Sequence, residues 1–150
     1  MPRLHFEDLV EGASMTFGPR TVTREEMIAF AAEFDPQPMH LDEEAAKRTM
    51  LGGLAASGWY TCVILMRLYA DGFLADTSSM GAPGVDELRW LRPVRPGDRL
   101  SARVTVLDKR VSKSRPEMGL ARMQIELVNQ DGETVLHEKH THLFGRRAAA

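Results

Sequence analysis

The chain has 150 residues, of which 43% are hydrophobic and 27% are charged, and its formal net charge at pH 7 is −2. This length suits a single domain spanning residues 1–150, and the composition excludes collagen-like, disulfide-rich and wholly disordered proteins. Because 19 basic residues nearly balance 21 acidic ones, the overall charge gives no reason to expect nucleic acid or an anionic membrane as a partner.

Signals for export or membrane insertion are weak. The first ten residues mix Arg3, Glu7 and Asp8 with apolar residues and lack a signal-peptide core, so cytoplasmic residence is the default expectation. The longest apolar stretch, residues 59–66, is far shorter than the roughly 20 residues that a membrane helix needs. The single cysteine, Cys62, lies within it and is expected to behave as a small buried hydrophobe.

The first half of the chain has helical patterns. Thr23 and Glu26 have the spacing of a capping box, and apolar residues follow at intervals of three and four, which predicts a helix over residues 23–33. Pro36 and Pro38 then predict a stiff extended loop. A short helix is expected over residues 42–47, where acidic residues come first and a basic residue last.

The most apolar segment follows Ser57, which is a good N-cap residue. Residues 58–70 are apolar on nearly every side, which predicts a central helix surrounded by protein.

The second half changes to a period of two. Alternating apolar and polar residues predict half-buried strands, and the turn residues at 129–132 predict a hairpin. Helices followed by antiparallel strands indicate an α+β domain in which a sheet curls around the central helix. The predicted strands cover residues 14–22, 88–91, 100–106, 121–127 and 133–144.

The most informative pair for chemistry is Asp35 and His40, five positions apart on the proline-stiffened loop. An acid/base pair must be held within hydrogen-bond reach of the reacting atom, and prolines lower the entropy cost of holding it. Spacing alone leaves open the alternative that both side chains cap nearby backbone groups.

Residues 30–42 resemble the hydratase motif of the MaoC-like dehydratases, the (R)-specific enoyl-CoA hydratases with a hot-dog fold. That motif reads Asp, any residue, Asn, Pro, aliphatic, His; Asp35, Pro38, Met39 and His40 match it, and Gln37 stands where Asn is usual. Residues 54–58 and 88–98 resemble the family's entry to its central helix and its strand ending in Arg-Pro-Val and Gly-Asp. The resemblance implies a long helix wrapped by an antiparallel sheet.

The resemblance also implies roles for individual residues. Asp35 and His40 would bind and activate the water that adds to a trans-2-enoyl thioester, and one of them would return a proton to the α-carbon. The Gly58 amide would donate to the thioester oxygen, where charge accumulates. A coenzyme A thioester would be the substrate, with no dissociable cofactor. Gln37, Pro38 and Ser57 would support the loop, while Met39 and Met66 could line an acyl pocket.

Two alternatives stay open. Some hot-dog proteins are thioesterases, but these usually place a carboxylate on the central helix, and residues 58–70 contain no Asp or Glu. The second alternative, a non-catalytic subunit that binds an acyl thioester, is motivated by Gln37.

Two further clusters and the assembly state complete the predictions. His137, His140 and His142 favour a solvated edge strand over a metal site, so no metal is assigned. An unpaired sheet edge predicts a homodimer or higher homo-oligomer with the acyl pocket near the interface. A basic loop is either a solvated turn or a contact with the phosphates of coenzyme A; it contains Arg110, Lys113 and Arg115.

Overall fold

The computed structural model describes residues 1–148 and contains a five-stranded antiparallel sheet and four helices. The helices are α1 (Arg24–Phe34), α2 (Pro38–Leu41), α3 (Glu43–Lys47) and α4 (Gly58–Gly72). The strands are β1 (Ser14–Thr21), β2 (Glu87–Trp90), β3 (Arg99–Val111), β4 (Met118–Val128) and β5 (Thr134–Gly145), and their order across the sheet is β1-β3-β4-β5-β2.

The predicted helix starts are confirmed by their caps. The hydroxyl of Thr23 accepts from the amide of Glu26 at 3.2 Å, and Asp42 caps α3 in the same way. Ser57 Oγ accepts from the Trp59 amide at 3.2 Å and opens α4. Each cap satisfies an amide that the first turn of a helix leaves without an intrahelical acceptor.

The core lies between α4 and the concave face of the sheet. Tyr60, Ile64 and Tyr69 of α4 are buried, as are alternate residues of β3 and β4 such as Val104 and Met123. A long helix held in a curved antiparallel sheet is the hot-dog arrangement, so the predicted α+β hot-dog fold is confirmed. Among the described residues, no helix is both long enough and apolar enough to cross a membrane.

Three expectations about local structure are wrong. The loop after α1 is not wholly extended, because residues 38–41 form the helical turn α2; its first residue is Pro38, whose missing amide costs nothing at that position. Residues 1–148 also cover only one face of α4, so that Trp59, Val63 and Met66 on its outer face are about half exposed.

The third concerns the histidine strand. β5 lies between β4 and β2 rather than at an edge of the sheet, and His140 and His142 are buried. The alternation of the strand places them on the concave face together with Glu138, while Lys139 points to the other side. The neighbouring charges therefore did not indicate a solvated strand.

Candidate functional site

A cavity of about 510 Å³ opens where the end of α1, the turn α2, the start of α4 and the strand β2 meet. Asp35 and His40 line it together with mainly apolar residues, among them Met39, Leu51 and Trp90. The Ala56 amide donates a 2.9 Å hydrogen bond to the Val94 carbonyl and so connects the segment before α4 to the segment after β2. Because most of the lining residues are apolar, Asp35 and His40 lie in a largely apolar cleft.

Asp35 is held as a carboxylate by donors on both oxygens. Gln37 Nε2 donates to its Oδ1 at 2.7 Å, and Ser57 Oγ donates to its Oδ2 at 2.7 Å. These two hydrogen bonds, and to a lesser degree the nearby His40, lower the pKa of Asp35 although partial burial opposes the shift. The carboxylate is therefore ionised and fixed in orientation at neutral pH.

His40 is buried and its ring orientation is fixed from behind. Its Nδ1 lies 2.8 Å from the carbonyl oxygen of Ala55, and because a carbonyl only accepts, Nδ1 must carry a proton. In the neutral ring, Nε2 then presents a lone pair toward Asp35 Oδ2, 3.5 Å away. His40 Nε2 and Asp35 Oδ2 are therefore two acceptors close enough to receive hydrogen bonds from the same molecule.

Gly58 begins α4 at the wall of the cavity. Its amide is the first of the helix and has no intrahelical acceptor, and it stands at the positive end of the helix dipole. Its carbonyl accepts from Trp90 Nε1 at 2.8 Å, and a Cβ at this position would lie only 2.5 Å from the indole ring of Trp90. Glycine is therefore required for the close packing of Trp90, which does not compete with a role for the amide.

The structure brings together most of the predicted site residues. Gln37 and Ser57 are hydrogen-bonded to Asp35, His40 lies beside its carboxylate, and Gly58 follows Ser57 in the chain. Pro38 starts the turn that carries His40, and Met39 lines the same cavity.

Met66 is the exception among the predicted pocket residues. It lies further along α4 and lines a second cavity, which shares the lining residue Trp59 with the first. Among the described residues that line either cavity, none belongs to the basic loop. Within residues 1–148, no group of three or more His, Cys, Asp or Glu has the arrangement of a metal site.

Sequence reasoning missed three contributions to the site. The Ala55 carbonyl selects the protonated nitrogen of His40, and no side-chain pattern signals a backbone role. Trp90 packs against Gly58 at the wall of the cavity. A large aromatic side chain in a short strand was the sequence feature that could have indicated this role. Arg95 donates to the carbonyls of Leu51, Gly53 and Leu54 and thereby holds the segment of residues 51–54 in place.

Comparison with known proteins gives the same picture. Residues 8–126 match the model of the family described as "MaoC like domain". An uncharacterised protein of Bacillus subtilis (strain 168), YdeM, is 36% identical over 110 residues, which cover 73% of this chain and 76% of that protein.

Solved structures extend the likeness to nearly the whole chain. The crystal structure of a MaoC-like dehydratase from Rhodospirillum rubrum has a TM-score of 0.90 and 42% identity, and covers 97% of this chain and 99% of that one. The R-hydratase PhaJ1 from Pseudomonas aeruginosa shares the fold, with a TM-score of 0.75, 23% identity and coverage of 98% and 92% of the two chains. With its fold, its motif and its family match in agreement, this chain belongs to the MaoC-like dehydratase family.

Proposed function

We propose that the protein is a hydratase and dehydratase that reversibly adds water across the double bond of a trans-2-enoyl thioester, with coenzyme A as the carrier. The observation that carries the proposal is the approach of Asp35 Oδ2 to His40 Nε2, 3.5 Å apart at the wall of a mainly apolar cavity. A water molecule placed against both atoms donates one hydrogen to each, which fixes its oxygen for attack.

The proposed reaction needs one proton acceptor and one proton donor. The water oxygen bonds to the β-carbon while one of its protons passes to His40 Nε2, and the double-bond electrons move toward the thioester carbonyl. The imidazolium, paired with the Asp35 carboxylate, returns that proton to the α-carbon. Water, a proton and the thioester are the only species exchanged, so the proposal includes no dissociable cofactor.

Gly58 suits the remaining requirement, which is to stabilise charge on the thioester oxygen. Its amide is free of an intrahelical acceptor and has the helix dipole behind it. A preorganised backbone donor of this kind stabilises an enolate-like transition state without reorganising during the reaction.

The alternatives have less support. Within α4 the acidic residue is Asp71, which pairs with Arg67 at 2.7 Å on the exposed side of the helix, so no carboxylate of the helix points into the cavity among the described residues. A purely binding subunit would not need Asp35 to be oriented, yet Gln37 donates directly to it. The extra methylene of Gln37 is therefore compatible with a working pair.

Two finer features are part of the proposal. The name of the R-hydratase from Pseudomonas aeruginosa supports an (R)-3-hydroxyacyl product. The unpaired edge of β2 and the half-exposed apolar face of α4 support a homodimer. Cytoplasmic residence stays a prediction from the sequence.

The direct test compares variants on crotonyl-CoA and longer enoyl-CoA thioesters by loss of the enoyl absorbance. Asp35→Asn and His40→Ala should each lower kcat by at least about 100-fold, the usual contribution of a positioned acid or base. Glu33→Gln, an exposed change at the end of α1, serves as the control and should leave the rate unchanged. An Asp35→Asn variant that is folded and fully active would refute the proposal.

A further inference from the structure

The second cavity contains buried polar residues for which the proposed hydration has no use. It has a volume of about 460 Å³ and lies beside α4, with a lining that is mainly apolar and includes Leu65, Met66 and Ile125. Glu138, His140 and His142 of β5 also line it, and each is at least nine-tenths buried. Buried ionisable groups in an apolar cavity are costly unless hydrogen bonds satisfy them.

These side chains form a continuous hydrogen-bonded row. His140 Nδ1 lies 2.7 Å from Glu138 Oε1, and His140 Nε2 lies 3.2 Å from His142 Nδ1. The row ends at the hydroxyl of Ser79, 2.7 Å from His142 Nε2. Burial, and to a lesser degree His140, lowers the pKa of His142 to about 4, so this ring is neutral at pH 7.

One acceptor in this row is free. Glu138 Oε2 has no hydrogen-bond partner among the described residues, although Glu138 is only 6% exposed and borders the cavity. An unsatisfied buried carboxylate oxygen costs free energy that a hydrogen-bond donor from a ligand would recover. Tyr69, whose hydroxyl is 3.4 Å from His142 Nδ1, also lines this cavity.

The two cavities are placed to share one substrate. Trp59 lines both, and they follow one another along α4. From Gly58 to Tyr69 the helix extends roughly 16 Å at its usual rise per residue. An acyl chain that runs from a thioester at Gly58 past Trp59 would therefore enter the second cavity and approach Glu138.

We propose that the second cavity receives the distal part of the acyl group and that Glu138 accepts a hydrogen bond there from a hydroxyl of the substrate. The proposed function supplies the thioester on which this inference rests. A hydroxyl group provides the one donor that Glu138 Oε2 lacks and can accept in turn from Tyr69, whereas a carboxylate would be repelled. An ammonium group would bring three donors to a single free acceptor and leave the others unsatisfied in apolar surroundings.

The test measures binding separately from turnover. Saturated acyl-CoA thioesters cannot be hydrated, so calorimetric titration with length-matched thioesters ending in methyl, hydroxyl, amino or carboxyl groups reports on the cavity alone. At the best chain length, the hydroxyl compound should bind about tenfold more tightly than the methyl compound, the effect of one well-placed hydrogen bond. Glu138→Gln should reduce that preference, because a neutral amide replaces the charged acceptor and the hydrogen bond to the hydroxyl becomes weaker.

Lys139→Gln, which changes the neighbouring residue on the opposite face of β5, is the matched control and should keep the preference. Thermal unfolding checks that both variants fold; if Glu138→Gln does not, Tyr69→Phe replaces it and should reduce the preference.

Parallel hydration assays with the corresponding enoyl thioesters separate the two proposals. Hydration without any preference for the hydroxyl compound would overturn the inference and leave the proposed function intact. A hydroxyl preference in binding without hydration would refute the proposed function but support the cavity's specificity. Tighter binding of the amino or carboxyl compound would overturn the choice of a hydroxyl.

Discussion

At the scale of single residues, Gln37 explains how a motif with one altered position can keep its geometry. Its longer side chain reaches the residue two positions before it and donates to Asp35 Oδ1 at 2.7 Å, while Ser57 donates to Oδ2. The carboxylate is thereby turned toward His40. Spacing in the sequence suggested the pair, but only the structure identifies its supporting donors.

Removing the Gln37 donor should raise the pKa of Asp35. In the folded protein the lowered pKa stabilises the native state above the ordinary carboxyl pKa, and this stability is lost as the pH falls through the folded-state pKa. In Gln37→Ala, an NMR titration of the Asp35 carboxyl carbon should have a higher midpoint than in the wild type. Gln124→Ala removes a side-chain amide on β4 and should leave the Asp35 midpoint unchanged. Equal midpoints in all three proteins would contradict the assigned role of Gln37.

At the scale of elements, the sequence predicted those parts of the fold that depend on local patterns. The capped starts of α1, α3 and α4 and the alternating strands follow from nearest-neighbour chemistry and are confirmed. The position of β5 inside the sheet is set by tertiary pairing with β2, which no local pattern encodes. For the same reason the local pattern around Glu138, His140 and His142 wrongly predicts a solvated strand.

Ser57 joins an element to the site, because its hydroxyl caps α4 and also donates to Asp35. Ser57→Ala should lower the free energy of unfolding by about 1 kcal/mol, the usual value of an N-cap, and also reduce the rate of hydration. Thr23→Ala removes the cap of α1 and should cost similar stability without a comparable loss of rate. Urea unfolding and enzyme assays on both variants check this; equal rates in the two variants would contradict the link.

His142 should make the stability of the sheet depend on pH. Its pKa is lowered to about 4 in the folded protein, so the unfolded chain binds a proton first as the pH falls below about 6.5. The free energy of unfolding should therefore decrease between about pH 6.5 and pH 4. The polar groups that face His142 are those of Tyr69, Ser79 and His140, and the ring of Phe144 packs against it.

Urea titrations at several pH values measure this effect. The decrease should be smaller in His142→Gln, while His137→Gln, on the more exposed side of β5, should behave like the wild type in this respect. An unchanged decrease in His142→Gln would show that other groups cause it.

At the scale of the whole molecule, the described residues leave one face of α4 exposed to solvent. Trp59, Val63 and Met66 are about half exposed there, and within the described part of the chain β2 pairs along only one of its edges. A second copy related by a two-fold axis would cover the apolar face and pair the edge. The dimer interface would also lie close to both cavities, because Trp59 lines each of them.

Analytical ultracentrifugation should therefore find a dimer, and Val63→Asp should shift it toward monomer because the substitution buries a charge in the interface. Asp131→Lys, in the turn between β4 and β5, should leave the dimer intact. A wild-type monomer at micromolar concentration would contradict this assembly.

The most direct test of hydration by Asp35 and His40 follows two signals from crotonyl-CoA at once: the enoyl absorbance and the release of free thiol. With the wild type, the absorbance should fall and no thiol should be released. With Asp35→Asn, the absorbance should stay constant and again no thiol should be released. Release of thiol in step with the loss of substrate would identify a thioesterase instead. Preserved absorbance across a panel of enoyl thioesters, with the protein folded, would contradict the assignment of a hydratase.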